Sequence, residues 1–261
     1  MRYAALLICV WLSLSQVAHA ADTTETPVAS ISIIIDDLGN SLRAGMRAIR
    51  LPGAVACAVL PHRPHAVHLA HAAHASGKEV ILHLPMESAD GVDLGPGSVH
   101  TDMTHLTMAM TLRDDLQAVP HAVGVSNHMG SLFTTQPKLM RWLMQAVLDE
   151  GHLFFVDSRT TADSIVPRVA EEVGVPYLVR NVFLDRERNS DAINTQFKRL
   201  INAAREHGTA LAIGHPYAET LEFLERHLPM LAGSDIELVP LSKLLVLRNE
   251  EQKRWQTSLS L

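Results

Sequence analysis

From Ile31 onward, short apolar runs rich in β-branched residues alternate with longer amphipathic stretches. The runs predict strands over 31–36, 54–60, 79–84, 122–126, 152–156, 176–179, 209–213 and 236–239. The amphipathic stretches predict helices near 40–50, 64–76, 104–118, 136–150, 160–173, 191–207, 217–231 and 240–249. The strands lack the apolar–polar alternation of a half-solvated sheet. Ile33-Ile34-Ile35, Val80-Ile81-Leu82, Phe154-Phe155-Val156 and Leu211-Ala212-Ile213 are apolar throughout. Burial on both faces beneath helices tolerates such runs, and strand–helix alternation builds that arrangement from βαβ units. Seven or eight units in about 220 residues imply an α/β fold closing into a barrel-like sheet, with an open doubly wound sheet as the alternative. Residues 86–103 (MESADGVDLGPGSVHTDM) interrupt the pattern as a Gly-rich, helix-free loop, and loops of that length tend to be functional.

The first twenty residues follow a different pattern. Arg2, the apolar run Ala4 to Leu14 and Ala18-His19-Ala20 have the order of a secretory signal with its cleavage site. The run is shorter than the roughly 20 apolar residues that a bilayer span needs. Residues 1–20 are therefore read as a signal peptide, an uncleaved anchor being the alternative. Residues 21–30 read as a polar linker, 31–248 as one domain without internal boundary, and 249–261 as a polar, frayed tail. No later stretch is apolar enough to span a bilayer, so the processed chain is expected to be periplasmic, with no stable membrane span after cleavage.

Composition narrows the classes further. An apolar fraction of 47% with 19% charged residues excludes a disordered chain. A formal charge of −6 argues against a nucleic-acid partner. Two cysteines do not make a disulfide scaffold, and Cys57, inside Val55-Ala56-Cys57-Ala58-Val59, reads as a buried thiol. The 15 histidines are the unusual feature.

Parallel α/β folds bind ligands beyond the C-terminal ends of their strands. Five of the predicted strands end in polar residues suited to chemistry: Asp36-Asp37, His83 with Glu87, Asn127-His128, Asp157-Ser158 and His215. Carboxylates with imidazoles form the donor set of a borderline divalent metal, and two carboxylates with a histidine can also divide base and acid roles. Each position has a plainer reading as well. Asp37, Asn40 or Asp157-Ser158 suits a helix cap, His83 a satisfied core histidine, and His128 and His215 tight turns. His65, His68, His71 and His74 recur every three residues on one helix. Each step turns about 300°, so that stripe drifts and reads as a solvated face. A phosphatase of the haloacid type needs Asp-x-Asp, which Asp36-Asp37-Leu38-Gly39 does not supply.

The motifs IIIDDLG, HLPME, SNHMGS, FFVDS and IGHP, in this order over about residues 31–248, resemble the divergent polysaccharide deacetylase family (YibQ-type proteins), related to the NodB-type carbohydrate esterases. The resemblance implies a distorted (β/α)7-8 barrel with a divalent metal, usually Zn²⁺, at its mouth. It assigns Asp36 as general base, Asp37 and His83 as metal ligands, and His215 as the acid that protonates the leaving group. Asp157 corresponds to the acidic residue that orients that histidine. The family's second metal histidine is replaced by Glu87, which leaves Glu87 or His128 to complete the metal set. Asn127-His128 stands where the family has Arg-Pro and lacks the guanidinium. Asn127 and Glu87 are expected at the substrate, with loop 86–103 touching sugar. The implied activity is metal-assisted removal of acetyl groups from an envelope glycan. The alternative is an inactive module of the same fold that binds glycan or an envelope protein partner.

Overall fold

The computed structural model describes residues 29–259; the expected signal peptide and most of the linker lie outside the described residues. The sheet contains β1 (Ala29–Leu38), β2 (Ala56–Val59), β3 (Val80–Met86), β4 (Ala122–Met129), β5 (Phe154–Asp157), β6 (Tyr177–Val179), β7 (Val182–Phe183), β8 (Thr209–Gly214) and β9 (Ile236–Leu238). The helices are α1 (Leu42–Ile49), α2 (Ala66–Ala75), α3 (His105–Ala118), α4 (Pro137–Asp149), α5 (Val166–Val173), α6 (Ser190–His207), α7 (Ala218–His227) and α8 (Leu241–Leu259). Every predicted strand and helix is present. The additional strand, β7, has two residues and no readable period. The expected irregular tail is instead the second half of α8, which continues helical to Leu259.

Local chemistry sets the helix starts. Ser41, Thr104 and Asn189 accept hydrogen bonds from the N–H groups of Ala44, Thr107 and Ala192, and Pro137 opens α4. Glu79 accepts from the N–H groups of Leu241 and Ser242 at 2.6 and 3.2 Å, which caps α8 from the residue that precedes β3.

All strand pairs are parallel, in the order β6-β5-β4-β3-β2-β1-β8-β7. β9 pairs with residues 29–31 of β1, on the edge that β2 takes from Ile34 onward. Among the described residues β6 and β7 do not pair, so the sheet is a curled half-barrel, open on one side. A flat sheet would set β1 and β4 about 14 Å apart, three strand spacings. Their terminal side chains Asp37 and His128 instead meet at 2.9 Å, which only strong curling permits.

Two cores hold the sheet. Ile31, Ile33 and Ile35 of β1, Leu82 and Leu84 of β3, and Phe155 of β5 pack outward under the helices. The alternate residues Ile34, Ile81, Phe154, Val156, Leu211 and Ile213 fill the interior, and Leu241 and Leu244 of α8 close its base. Strand parity then decides the mouth. Continuing each inward row by two residues leads from Ile34 to Asp36, from Ile81 to His83, from Val156 to Ser158 and from Ile213 to His215.

Candidate metal centre

Two adjacent carboxylates reach the mouth because β1 carries an extra residue there. Ile35 pairs with Cys57 and Leu38 with Val59, so three steps on β1 oppose two on β2. Asp37 absorbs the bulge with φ at +60°, a left-handed conformation that Asp tolerates better than most residues. Asp36 keeps the inward parity, and Leu38 returns to the outer core. Met129 and Arg159, at the ends of β4 and β5, are also left-handed, with φ at +56° and +49°.

Asp37 Oδ1 lies 2.9 Å from His128 Nδ1 and 3.2 Å from His83 Nε2. The two imidazole nitrogens are 3.3 Å apart. Donors bound at 2.0–2.1 Å on a tetrahedron are about 3.3 Å from one another, so this triangle fits a zinc-sized ion. Asp37 Oδ1 is buried and receives no well-directed hydrogen bond, and Asp36 Oδ1 is in the same position. Such orphaned acceptors call for a cation. One carboxylate and two imidazoles, leaving a fourth position open, is a donor set that suits catalytic zinc. Burial alone would raise the Asp37 carboxyl, but the His128 and His83 imidazoles beside it hold it well below the usual carboxylate range. Asp37 is thus a ready anionic ligand.

Behind the triangle, His83 Nδ1 meets Ser126 Oγ at 2.8 Å in a buried contact, which turns Nε2 toward Asp37. Ser126→Ala is expected to weaken metal affinity about 10-fold or more by freeing this ring. Competition against a chelator of known affinity measures the change; wild-type affinity would remove the orienting role.

His215 also reaches the triangle, its Nε2 3.8 Å from Asp37 Oδ2. Its Nδ1 is 2.9 Å from Asp185 Oδ1, and its backbone N–H donates to Asp185 Oδ2 at 2.6 Å. Thr220 Oγ1 donates to the same oxygen at 2.7 Å. Burial opposes the imidazolium of His215, yet Asp185, aided by Asp36 and Asp37, outweighs burial and raises its pKa. Asp36 Oδ2 stands 3.6 Å from His83 Nε2. Burial raises the Asp36 carboxyl despite the lowering influence of His83, His215 and His128.

Three sequence expectations change here. Asp157 does not orient His215. It has the outward parity of Phe155, accepts from the Arg159 N–H and Ser164 Oγ at 2.8 Å each, and shapes the turn after β5. Glu87, expected at the substrate, is not among the residues that line the mouth cavity, and His128 completes the metal triangle. The loop pairs back on β3 through Glu87 N–H to Val99 O, and the Glu87 carboxylate accepts from the Thr101 N–H at 2.6 Å. Asn127 is buried at the mouth but joins strand ends: its Oδ1 accepts from the Ser158 N–H and its Nδ2 donates to Met129 O, each at 2.8 Å. The residue that sequence reasoning missed is Asp185. Its signal was Val182-Phe183-Leu184-Asp185, another apolar run ending in Asp, hidden by the two-residue length of β7.

The histidine stripe of α2 forms no comparable group. His71 Nδ1 bonds His121 Nε2 at 2.9 Å and His74 stacks on His121, at an exposed face. Among the described residues the one cluster with three metal-type donors is Asp37, His83 and His128. It opens into a cavity of about 440 Å³ that Asp36, Asp185, His215, Tyr217, Phe183 and four arginines also line.

Comparison with known proteins gives the family and the fold of the chain. The family model of divergent polysaccharide deacetylases matches residues 33–245. The uncharacterized protein YibQ of Escherichia coli K12 is 38% identical over 222 residues, covering 85% of this chain and 68% of that one. The crystal structure of an uncharacterized protein from Agrobacterium tumefaciens C58 superposes with a TM-score of 0.79 at 23% identity, covering 85% of this chain and 91% of that one. The peptidoglycan deacetylase PdaC of Bacillus subtilis shares the fold with a TM-score of 0.53 at 13% identity, covering 88% and 96%.

Proposed function

Because this chain belongs to the divergent polysaccharide deacetylase family, we propose that it is a metal-dependent hydrolase that removes acetyl groups from an envelope glycan. The observation that carries this reading is the Asp37–His83–His128 triangle with two proton carriers beside it, the buried Asp36 and the partly buried His215. Asp37 Oδ1, His83 Nε2 and His128 Nδ1 would hold the ion. A bound Zn²⁺ would supply Lewis acidity toward an acyl oxygen and acidify water.

The chain's own residues divide the proton transfers. Asp36, buried and raised in pKa, is a stronger base than a surface carboxylate and takes a proton from the attacking water. The water oxygen joins the acyl carbon and the bond from that carbon to the sugar nitrogen breaks. His215, whose imidazolium Asp185 stabilises, delivers a proton to the departing nitrogen as the amine leaves. Acetate and a free amine result, and both side chains reset through the open mouth. Asp185 fixes the His215 tautomer, with Nδ1–H on the carboxylate and Nε2 facing the reaction.

The same reading puts the processed chain in the periplasm, on the strength of the signal-like residues 1–20. The test is acetate release from N-acetylated oligosaccharides, among them peptidoglycan fragments, by zinc-loaded and chelator-stripped protein. Release that stops on stripping and returns with zinc is expected. A loaded protein that releases no acetate from any acetylated glycan would instead be a binding module.

A further inference from the structure

Four arginines line the mouth: Arg159, Arg180, Arg186 and Arg188. They gather in one cavity of a chain whose formal charge is −6. The cavity's carboxylates are already engaged: Asp37 with His83 and His128, Asp36 near His83, and Asp185 with His215 and Thr220. None lies within ion-pair distance of an arginine, and Glu187, between Arg186 and Arg188, is outside the cavity lining. Among the described residues the side chains of Arg159, Arg186 and Arg188 make no hydrogen bond or ion pair. Arg180 differs, donating from Nε to Ser158 O at 2.6 Å and from Nη2 to Arg159 O at 2.8 Å. It serves as the brace that holds the left-handed turn at Arg159.

Arg159, Arg186 and Arg188 are exposed, so water screens their mutual repulsion while their charge stays available to an anion entering the cavity. Arg188 is also placed in advance. Its guanidinium lies 3.7 Å from the centre of the Tyr217 ring, and Tyr217 stacks in turn on His215, with centroids 5.3 Å apart at 28°. A guanidinium stacked on a ring keeps its in-plane N–H donors available, the geometry that grips a carboxylate or phosphate with two parallel bonds. Stacking also lowers the entropy lost when the anion arrives.

We propose that the mouth recognises an acidic saccharide, Arg186 and Arg188 gripping a carboxylate or phosphate carried on the glycan, with Arg159 adding to the field. This assignment rests on the deacetylase reading of the site and narrows its substrate class. A positive rim also draws anionic polymers toward the cavity, an effect that salt suppresses.

The test is isothermal titration calorimetry of the purified protein with four probes at low salt. These are a neutral N-acetylglucosamine tetramer, a tetramer of the same length bearing carboxylates, one bearing a phosphate ester, and inorganic phosphate alone. At least one acidic tetramer is expected to bind about 10-fold or more tightly than the neutral one, with the gap shrinking as salt rises. The double variant Arg186→Gln/Arg188→Gln should bind acidic and neutral tetramers alike, and its thermal melt, set by exposed positions, should match wild type. Equal binding of neutral and acidic tetramers by wild type overturns the proposal, as does a gap that survives the double variant. Inorganic phosphate binding as tightly as the acidic tetramers overturns the saccharide part. Binding is read without turnover, so a protein that prefers acidic tetramers yet releases no acetate contradicts the deacetylase reading alone.

Discussion

Asp36→Asn is expected to leave metal binding in place and to cut acetate release by about 10²–10⁴-fold, the usual worth of a general base. Asp36 is outside the three-donor triangle, so its loss takes no ligand from the ion. Asparagine keeps the shape but replaces the ionisable carboxylate by a neutral amide that cannot take up the water proton. The fold should tolerate the change. Asp36 Oδ1 is buried without a hydrogen-bond partner, and burial raises its pKa in the folded state. A carboxyl with a raised folded pKa favours the fold while protonated, and its contribution falls as pH rises from the unfolded toward the folded value. Above that window the group costs stability, and the metal-free variant should melt no lower than metal-free wild type. Parallel measurement of metal content, melting and acetate release separates the outcomes. Near wild-type turnover would remove Asp36 from the chemistry.

Asp185→Asn should be nearly as damaging, lowering kcat by about 10²-fold or more through the wrong tautomer and a weakened acid. The direction of its pH effect follows from the forces on His215. Burial pushes the His215 pKa down, and Asp185 is the leading influence that pushes it up. With the carboxylate gone its largest raising influence is lost, and the imidazolium deprotonates at lower pH than in wild type. An acid must be protonated to act, so the alkaline limb of the kcat profile should move to lower pH, where a merely structural defect would scale the whole profile. Asp157→Asn should leave that limb in place, since Asp157 touches the turn after β5 and not His215. A shifted limb in Asp157→Asn with none in Asp185→Asn would reverse this assignment.

The contrast between those two aspartates shows what a single sequence conveys. Strand positions were legible because apolar β-branched runs alternate with amphipathic helices, and a parallel sheet places every strand end at one rim. That was enough to bring Asp36, Asp37, His83, His128 and His215 together. Strand phase was not legible. In Phe154-Phe155-Val156-Asp157 both faces are apolar, so no alternation tells whether Asp157 turns inward or outward. Packing decides it, because Phe154 and Val156 lie in the interior core and Phe155 in the outer one.

Other features depend on contacts between distant segments. The bulge that lets Asp36 and Asp37 both face the mouth is a register step between β1 and β2, and only its outcome, the Asp-Asp pair, is written locally. Glu87 is taken out of the metal set by the return of loop 86–103 along β3, a pairing with no local signature. Asp185 follows a strand too short to carry a period. The arginines of the rim come from segments after β5, β6 and β7, and nothing in their spacing announces a shared cavity.

The central claim is that Asp37, His83 and His128 bind a catalytic divalent metal. Elemental mass spectrometry of purified, tag-free, dialysed protein beside the Asp37→Ala/His83→Ala variant tests it most directly. About one zinc per chain in the wild type, absent from the variant, is the predicted result. No metal in the wild type, or metal retained by the variant on the exposed His71, His74 and His121 group, would contradict it.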